Sequence, residues 1–106
     1  MTYDSEKIKR ILDGLSLTSY PVVADTGASA PFVTYRRTDI EWCKDNITEA
    51  WYELTLVADT YATSVAMLAT VIGCGEWEVK DTGEETYSDG YYIQTLTVLV
   101  DVMFNA

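Results

Sequence analysis

The run from Tyr91 to Phe104 places Tyr92, Leu96, Val98, Val100, Val102 and Phe104 on one face of an extended chain. Side chains two apart share a face in a strand and not in a helix. A strand this long with one apolar face demands a sheet and a covering layer. Ala50 to Asp59 repeats the pattern, with Tyr52, Leu54, Leu56 and Ala58 inward and Glu53, Thr55 and Asp59 outward. Phe32 to Thr38 sets Val33 and Tyr35 against Thr34 and Arg36, and Trp77 and Val79 alternate with Glu76, Glu78 and Lys80. These four segments read as strands. Asp39 to Ile47 is a polar connection. Asp81 to Gly90 carries two turn signals, Thr82-Gly83 and Asp89-Gly90.

Two stretches switch to helical spacing. From about Asp4 to Leu15, Ile8, Ile11, Leu12 and Leu15 line one face while Lys7, Lys9, Arg10 and Asp13 lie elsewhere. Asp4 or Ser5 caps its start and Gly14 lies near its end. Asp59 or Thr60 opens a second helix to about Ile72, with an apolar face of Tyr61, Val65, Leu68, Ala69 and Ile72 and a stop at Gly73. Between the first helix and the first strand, Ser16 to Ala30 reads as a loop broken by Pro21 and Gly27. The order α-β-β-α-β-β predicts one α+β domain over residues 1–106, two helices packed on a mostly antiparallel four-stranded sheet. The helix between the second and third strands also permits a right-handed crossover and some parallel pairing.

Composition narrows the function. Apolar residues at 48% and charged residues at 23% describe an ordinary globular domain. There is no His, which removes imidazole bases and imidazole metal sites. Cys43 and Cys74 stand apart with no C-x-x-C, so neither zinc nor any other metal or cofactor is expected. Free thiols in a reducing compartment follow. A net charge of −10 opposes sequence-specific nucleic-acid binding. The opening Met1-Thr2-Tyr3-Asp4-Ser5-Glu6 is no signal peptide, and no apolar run reaches the ~20 residues of a membrane span.

Candidate chemistry is sparse. Asp25-Thr26-Gly27-Ala28-Ser29 follows Pro21-Val22-Val23-Ala24 and resembles the active-site loop of retroviral-type aspartic proteases, where paired Asp residues activate water. Asp81-Thr82-Gly83 repeats the triplet, and Val71-Ile72-Gly73 echoes another element of that family. Two helices do not belong in its nearly all-β fold, and Asp-Thr-Gly is ordinary turn chemistry. Glu76, Glu78, Asp81, Glu84, Glu85 and Asp89 lack calcium-loop spacing and read as a solvated hairpin face. Arg36-Arg37 reads as a strand edge or as partners for a neighbouring acid. No catalytic residue is assigned. Trp42, Trp51 and Tyr61 are the candidate interface residues: Trp51 falls on the outward face of its strand, with Trp42 and Tyr61 expected nearby.

The whole chain has a further likeness. An N-terminal helix leads to Ala30-Pro31-Phe32-Val33-Thr34-Tyr35, then a polar connection, a strand, a helix and a turn-rich acidic hairpin, and the last strand enters through Gly90-Tyr91-Tyr92. Over nearly its full length this resembles the small tail completion proteins (tail terminators, tail-to-head joining proteins) of long-tailed bacteriophages and prophages. The resemblance implies a structural protein of virion assembly rather than an enzyme. Its members form a hexameric ring of identical subunits that caps the growing tail tube and docks to the neck. The implied partners are further copies of the chain, the tail tube protein and a neck or head-completion protein, with no membrane. The implied location is the tail or neck of the virion, and the bacterial host cytoplasm during assembly. An acidic ring repels DNA passing through its lumen. The competing readings are a protease acting through Asp25-Thr26-Gly27 and a generic small interaction module.

Overall fold

A computed structural model describes residues 4–21, 29–42 and 47–103. The elements in chain order are α1 (Asp4–Gly14), β1 (Ser19–Pro21), β2 (Phe32–Trp42), β3 (Ile47–Ala58), α2 (Tyr61–Ile72), β4 (Glu78–Ser88) and β5 (Tyr91–Met103). The strands form one sheet in the order β1-β2-β3-β5-β4. The domain is α+β with two helices, as its periodicities predict, but the sheet has five strands rather than four and is mixed. The extra strand, β1, lies inside the expected Ser16–Ala30 loop and pairs parallel with β2 through Ser19–Val33, Tyr20–Thr34 and Pro21–Tyr35. At three residues it is too short to show an alternation.

The parallel pairing also falls elsewhere than the crossover suggested. β3 and β4, on either side of α2, run in the same direction, but β5 inserts between them and pairs antiparallel with both. The expected boundaries were short. β2 continues through the supposed connection to Trp42 and β3 begins at Ile47, so the two form a longer hairpin than the apolar alternation marks. The first turn signal, Thr82-Gly83, stays inside β4, whereas Asp89-Gly90 makes the turn, both residues at positive φ (52° and 85°). That left-handed backbone is what Asp-Gly supplies to a tight hairpin.

The core alternation is as the sequence predicts. Val33, Tyr35, Tyr52, Leu54, Leu56, Ala58, Leu96, Val98 and Val100 are buried on one face of the sheet, and Ile8, Leu12, Met67 and Val71 of the helices close over them. Glu53 and Thr55 lie on the other face; Asp59 stands exposed beyond the end of β3. The expected positions Val102 and Phe104 lie outside the described side chains.

Helix α2 has the predicted ends and the wrong face. Thr60 is the N-cap, its hydroxyl oxygen accepting from the Thr63 amide at 3.2 Å, and Gly73 ends the helix. The buried residues, however, are Ser64, Met67 and Val71. Tyr61, Val65, Ala69 and Ile72 of the expected core face are exposed, and only Leu68 packs partly against the core. The physical reason is that α2 is uncharged and apolar most of the way round, so polar partners decide its rotation. The Ser64 hydroxyl donates to Glu85 of β4 at 3.1 Å. The buried Trp77 indole donates to the Val71 carbonyl at 3.0 Å, one of the acceptors a helix end leaves open. Trp77 thus precedes β4 instead of belonging to it.

Two substitutions test this packing. Leu54→Ala removes a fully buried side chain and should lower unfolding stability by about 2–5 kcal/mol in denaturant titration. Gly83→Ala places a Cβ 2.4 Å from the Thr95 hydroxyl. It should cost about 1–3 kcal/mol, and Thr95→Ala in the same chain should recover part of that loss.

Candidate functional site

The face of the sheet turned away from the helices carries no described element. Its side chains form rungs across the strands, read from the pairing register. Phe32, Val57 and Ile93 make an apolar rung, extended at β1 by Tyr20, whose ring meets Phe32 edge-on at 5.9 Å. Thr34, Thr55 and Thr95 form the next. Arg36, Glu53, Thr97 and Asp81 follow, with an ion pair of 3.3 Å between Arg36 and Glu53. Then comes Trp51 beside Leu99, flanked by Asp39 and Glu78. Partial shielding by neighbours leaves Trp51, Val57, Ile93 and Leu99 half-buried.

Trp51 therefore lies on the outward face, as its position next to Tyr52 requires. Trp42 ends β2 opposite Thr48, and its side chain lies outside the described part of the structure. Tyr61 is not on this surface. It begins α2 on the opposite layer, so the expected grouping of Trp42, Trp51 and Tyr61 into one patch is corrected for Trp51 and Tyr61. Tyr61 is 58% exposed and sits edge-on to Tyr92 at 5.7 Å, and Tyr92 meets Tyr87 in a tilted contact at 4.8 Å.

A second surface, which periodicity missed, runs along α2. Val65 and Ile72 are 46% and 48% exposed, and Tyr87 of the β4–β5 hairpin is exposed on the same side, whereas exposed Tyr91 shares the outer face with Ile93. The signal that could have revealed it is the absence of any charged residue between Tyr61 and Ile72. A solvent-facing helix ordinarily carries a charged stripe.

The remaining features offer little chemistry. A groove of about 380 Å³ lies between α1 and the α2–β4 connection, lined by Arg10, Ile11, Gly14, Leu15, Cys74 and Glu76. Among the described residues, no group of three or more Cys, Asp or Glu is arranged to hold a metal ion. Cys74 is a half-buried free thiol, and Cys43 lies outside the described residues. So does Asp25-Thr26-Gly27. Its repeat, Asp81-Thr82-Gly83, sits exposed in β4, where Asp81 pairs with Thr97. Glu78, Glu84, Glu85 and Asp89 are likewise exposed along the hairpin. No helix among the described residues is long and apolar enough to cross a membrane. The chain matches no known family model and no curated protein.

One titration is perturbed. Tyr35, 6% exposed beneath α1, has its phenol pushed above the ordinary 10.0. Burial disfavours the phenolate, and the nearby Asp13 carboxylate repels it. The neutral form is favoured in the folded state, so its contribution to stability is complete below pH 10.0 and is lost as pH rises through the folded value. Tyr35→Phe should therefore flatten the alkaline fall in stability, measured by denaturant titrations between neutral pH and pH 11.

Proposed function

We propose that this chain is a non-enzymatic structural protein of virion assembly. It is one subunit of a hexameric ring that closes the tail tube of a long-tailed bacteriophage or prophage and joins it to the neck. The observation that carries this reading is a pair of surfaces on opposite layers of a two-layer domain that no described residue covers: the outer sheet face with Trp51, and the apolar exposed flank of α2. A closed ring needs two different contact faces on every subunit, and a docking surface besides. The long elements in chain order, a helix, the β2–β3 hairpin, a second helix and the β4–β5 hairpin, support the same reading, with the three-residue β1 as an addition to the expected order. So does the acidity of the chain, which suits a passage for DNA. The two helices count against the aspartic protease alternative.

Trp51 is assigned to the ring or to docking on the tube. An indole half-shielded on a sheet has apolar area left to bury, and truncating such an anchor costs ~2 kcal/mol or more at an interface. Trp51→Ala should keep its circular dichroism and solubility, yet yield tails of abnormal length or heads without tails in a complementation assay. Leu54→Ala should instead lose soluble protein. Tails of normal length, joined to heads, from a folded Trp51→Ala chain would remove this surface from the assembly.

A further inference from the structure

Three tyrosines meet where α2 begins beside the end of the β4–β5 hairpin. Tyr87 pairs with Tyr92 across the hairpin, and Tyr92 pairs with Ala58, just before Tyr61 opens α2. The ring planes of Tyr61 and Tyr92 are inclined at 63°, and those of Tyr87 and Tyr92 at 56°. Rings so inclined do not cover one another's faces as parallel stacking would, and Tyr61 and Tyr87 stay 58% and 65% exposed. Exposed carboxylates flank the trio. Asp59 stands two residues before Tyr61, and Asp89 is in the turn two residues after Tyr87. Glu85 shares a face of β4 with Tyr87, where its Oε2 accepts from Ser64 of α2 at 3.1 Å. Among the described residues no cation stands at this end. Lys80 lies level with Thr97 and Val98, at least five residues from Tyr92 along β5, roughly 17 Å at a strand's rise, and is paired with Glu78. Arg36 is paired with Glu53 on the outer face, and Arg37 is level with Tyr52 and hence with Val98. On α1, Lys7 bonds the Asp101 carbonyl and Lys9 bonds Ser19 of β1, three strands across from β5, while Arg10 lines the groove beside Cys74, past the far end of α2.

We propose that this tyrosine end of the domain docks a basic segment of another protein, an arginine side chain lying over the faces of Tyr61 and Tyr87 with its charge among the carboxylates of Asp59, Glu85 and Asp89. The chemistry of the surface selects that occupant. An uncharged apolar segment would cover the rings but would take the flanking carboxylates out of water with nothing to pair them. An anionic segment is repelled, and a further copy of this chain brings a net charge of −10 of its own. A cation gains from both parts of the surface. The negative face of a ring attracts it within about 6 Å of the centroid, and the carboxylates complete its hydrogen bonds. Arginine suits the arrangement better than lysine, because a planar guanidinium stacks on a ring while its N–H fork bonds a carboxylate. The mutual contacts of the three rings already hold them in place, so little side-chain freedom is lost on binding. Val65, one turn along α2 from Tyr61 and 46% exposed, offers a seat for an apolar neighbour of the arginine. Trp51 lies seven residues from Ala58 along β3 and on the other face of the sheet, so the two surfaces are separate. The inference does not rest on the ring reading.

Titration of the full chain with two short peptides, followed by nuclear magnetic resonance, tests it. One peptide places a single arginine among leucines and alanines with both ends blocked; the other carries citrulline, uncharged and nearly the same shape, in its place. The arginine peptide should shift the ring signals of Tyr61, Tyr87 and Tyr92 saturably at millimolar concentration or below. It should leave the Trp51 indole signal unmoved and bind more weakly as salt rises. The citrulline peptide should shift none of them. Tyr61→Leu and Tyr87→Leu should each weaken binding about two- to fivefold, whereas Tyr87→Phe, which keeps the ring, should preserve it. Asp59→Asn with Glu85→Gln should also weaken binding and flatten its salt dependence, the glutamine still offering Ser64 an acceptor. Equal binding of both peptides would mean a surface indifferent to charge and would overturn the proposal. Arginine binding unchanged in both leucine variants would leave only general attraction to an acidic chain, which overturns it too, as would the absence of any saturable shift. If Tyr61→Leu loses the wild-type circular dichroism, Tyr87→Leu and the citrulline comparison decide the question. A hexamer that ignores the arginine peptide would overturn this inference and leave the ring reading standing, and a monomer that binds it would do the reverse.

Discussion

The β3–β5 ladder is the constraint on which the rest depends. Twelve residues of each strand pair without a break, from Ile47 with Met103 to Ala58 with Tyr92. An uninterrupted antiparallel register holds the sidedness of every residue in both strands, since a slip of one would exchange the two faces. It puts Leu54 opposite Leu96 and Tyr52 opposite Val98 beneath the helices, and Trp51 opposite Leu99 on the other side. β2 and β4 then extend those rungs outward, and the helices settle where the rungs are apolar. Even the polar contact that orients α2 follows from it, because Gln94 on β5 stands beside Glu85 on β4, the residue that receives the Ser64 hydroxyl.

What was legible in the sequence follows the same division. Strands with one buried face declare themselves, because Tyr52, Leu54, Leu56 and Ala58 alternate with polar residues. The outward position of Trp51 comes free with that register. Where both faces of an element are apolar, as in α2, periodicity has nothing to choose between, and a serine won the inward place over Val65 because a carboxylate stood ready for it. Asp39 to Trp42 extend β2 although they lack alternation, since backbone pairing to β3 needs no apolar side chains. β1 is invisible for the opposite reason: three residues hold no period at all. Tyr61 looked like a neighbour of Trp51 in the chain, but the chain crosses from one layer to the other at Asp59-Thr60.

The two faces of the domain have different chemical tempers. The helix layer is sealed by hydrocarbon, with Trp77 and Ser64 orienting α2 and Lys7 and Lys9 tying α1 to the carbonyls of Asp101 and Ser19. The open sheet face is graded along its length, from hydrocarbon at Phe32 and Val57, through threonine hydroxyls, to an ion pair and then an indole. Such a gradient lets one surface meet partners of unlike polarity at its two ends.

The pairing of β4 with β5 shifts register twice, between Val79 and Asp81 and again between Thr82 and Glu85. Irregularities of this kind bend and twist the strand that carries them. The free edge of β4 is therefore crooked as well as lined with carboxylates, and it offers no straight template for a strand from another molecule. The sheet is closed to lateral growth on that side. Neighbouring molecules are thereby kept from adding a strand along β4, the commonest route by which exposed sheets become fibres.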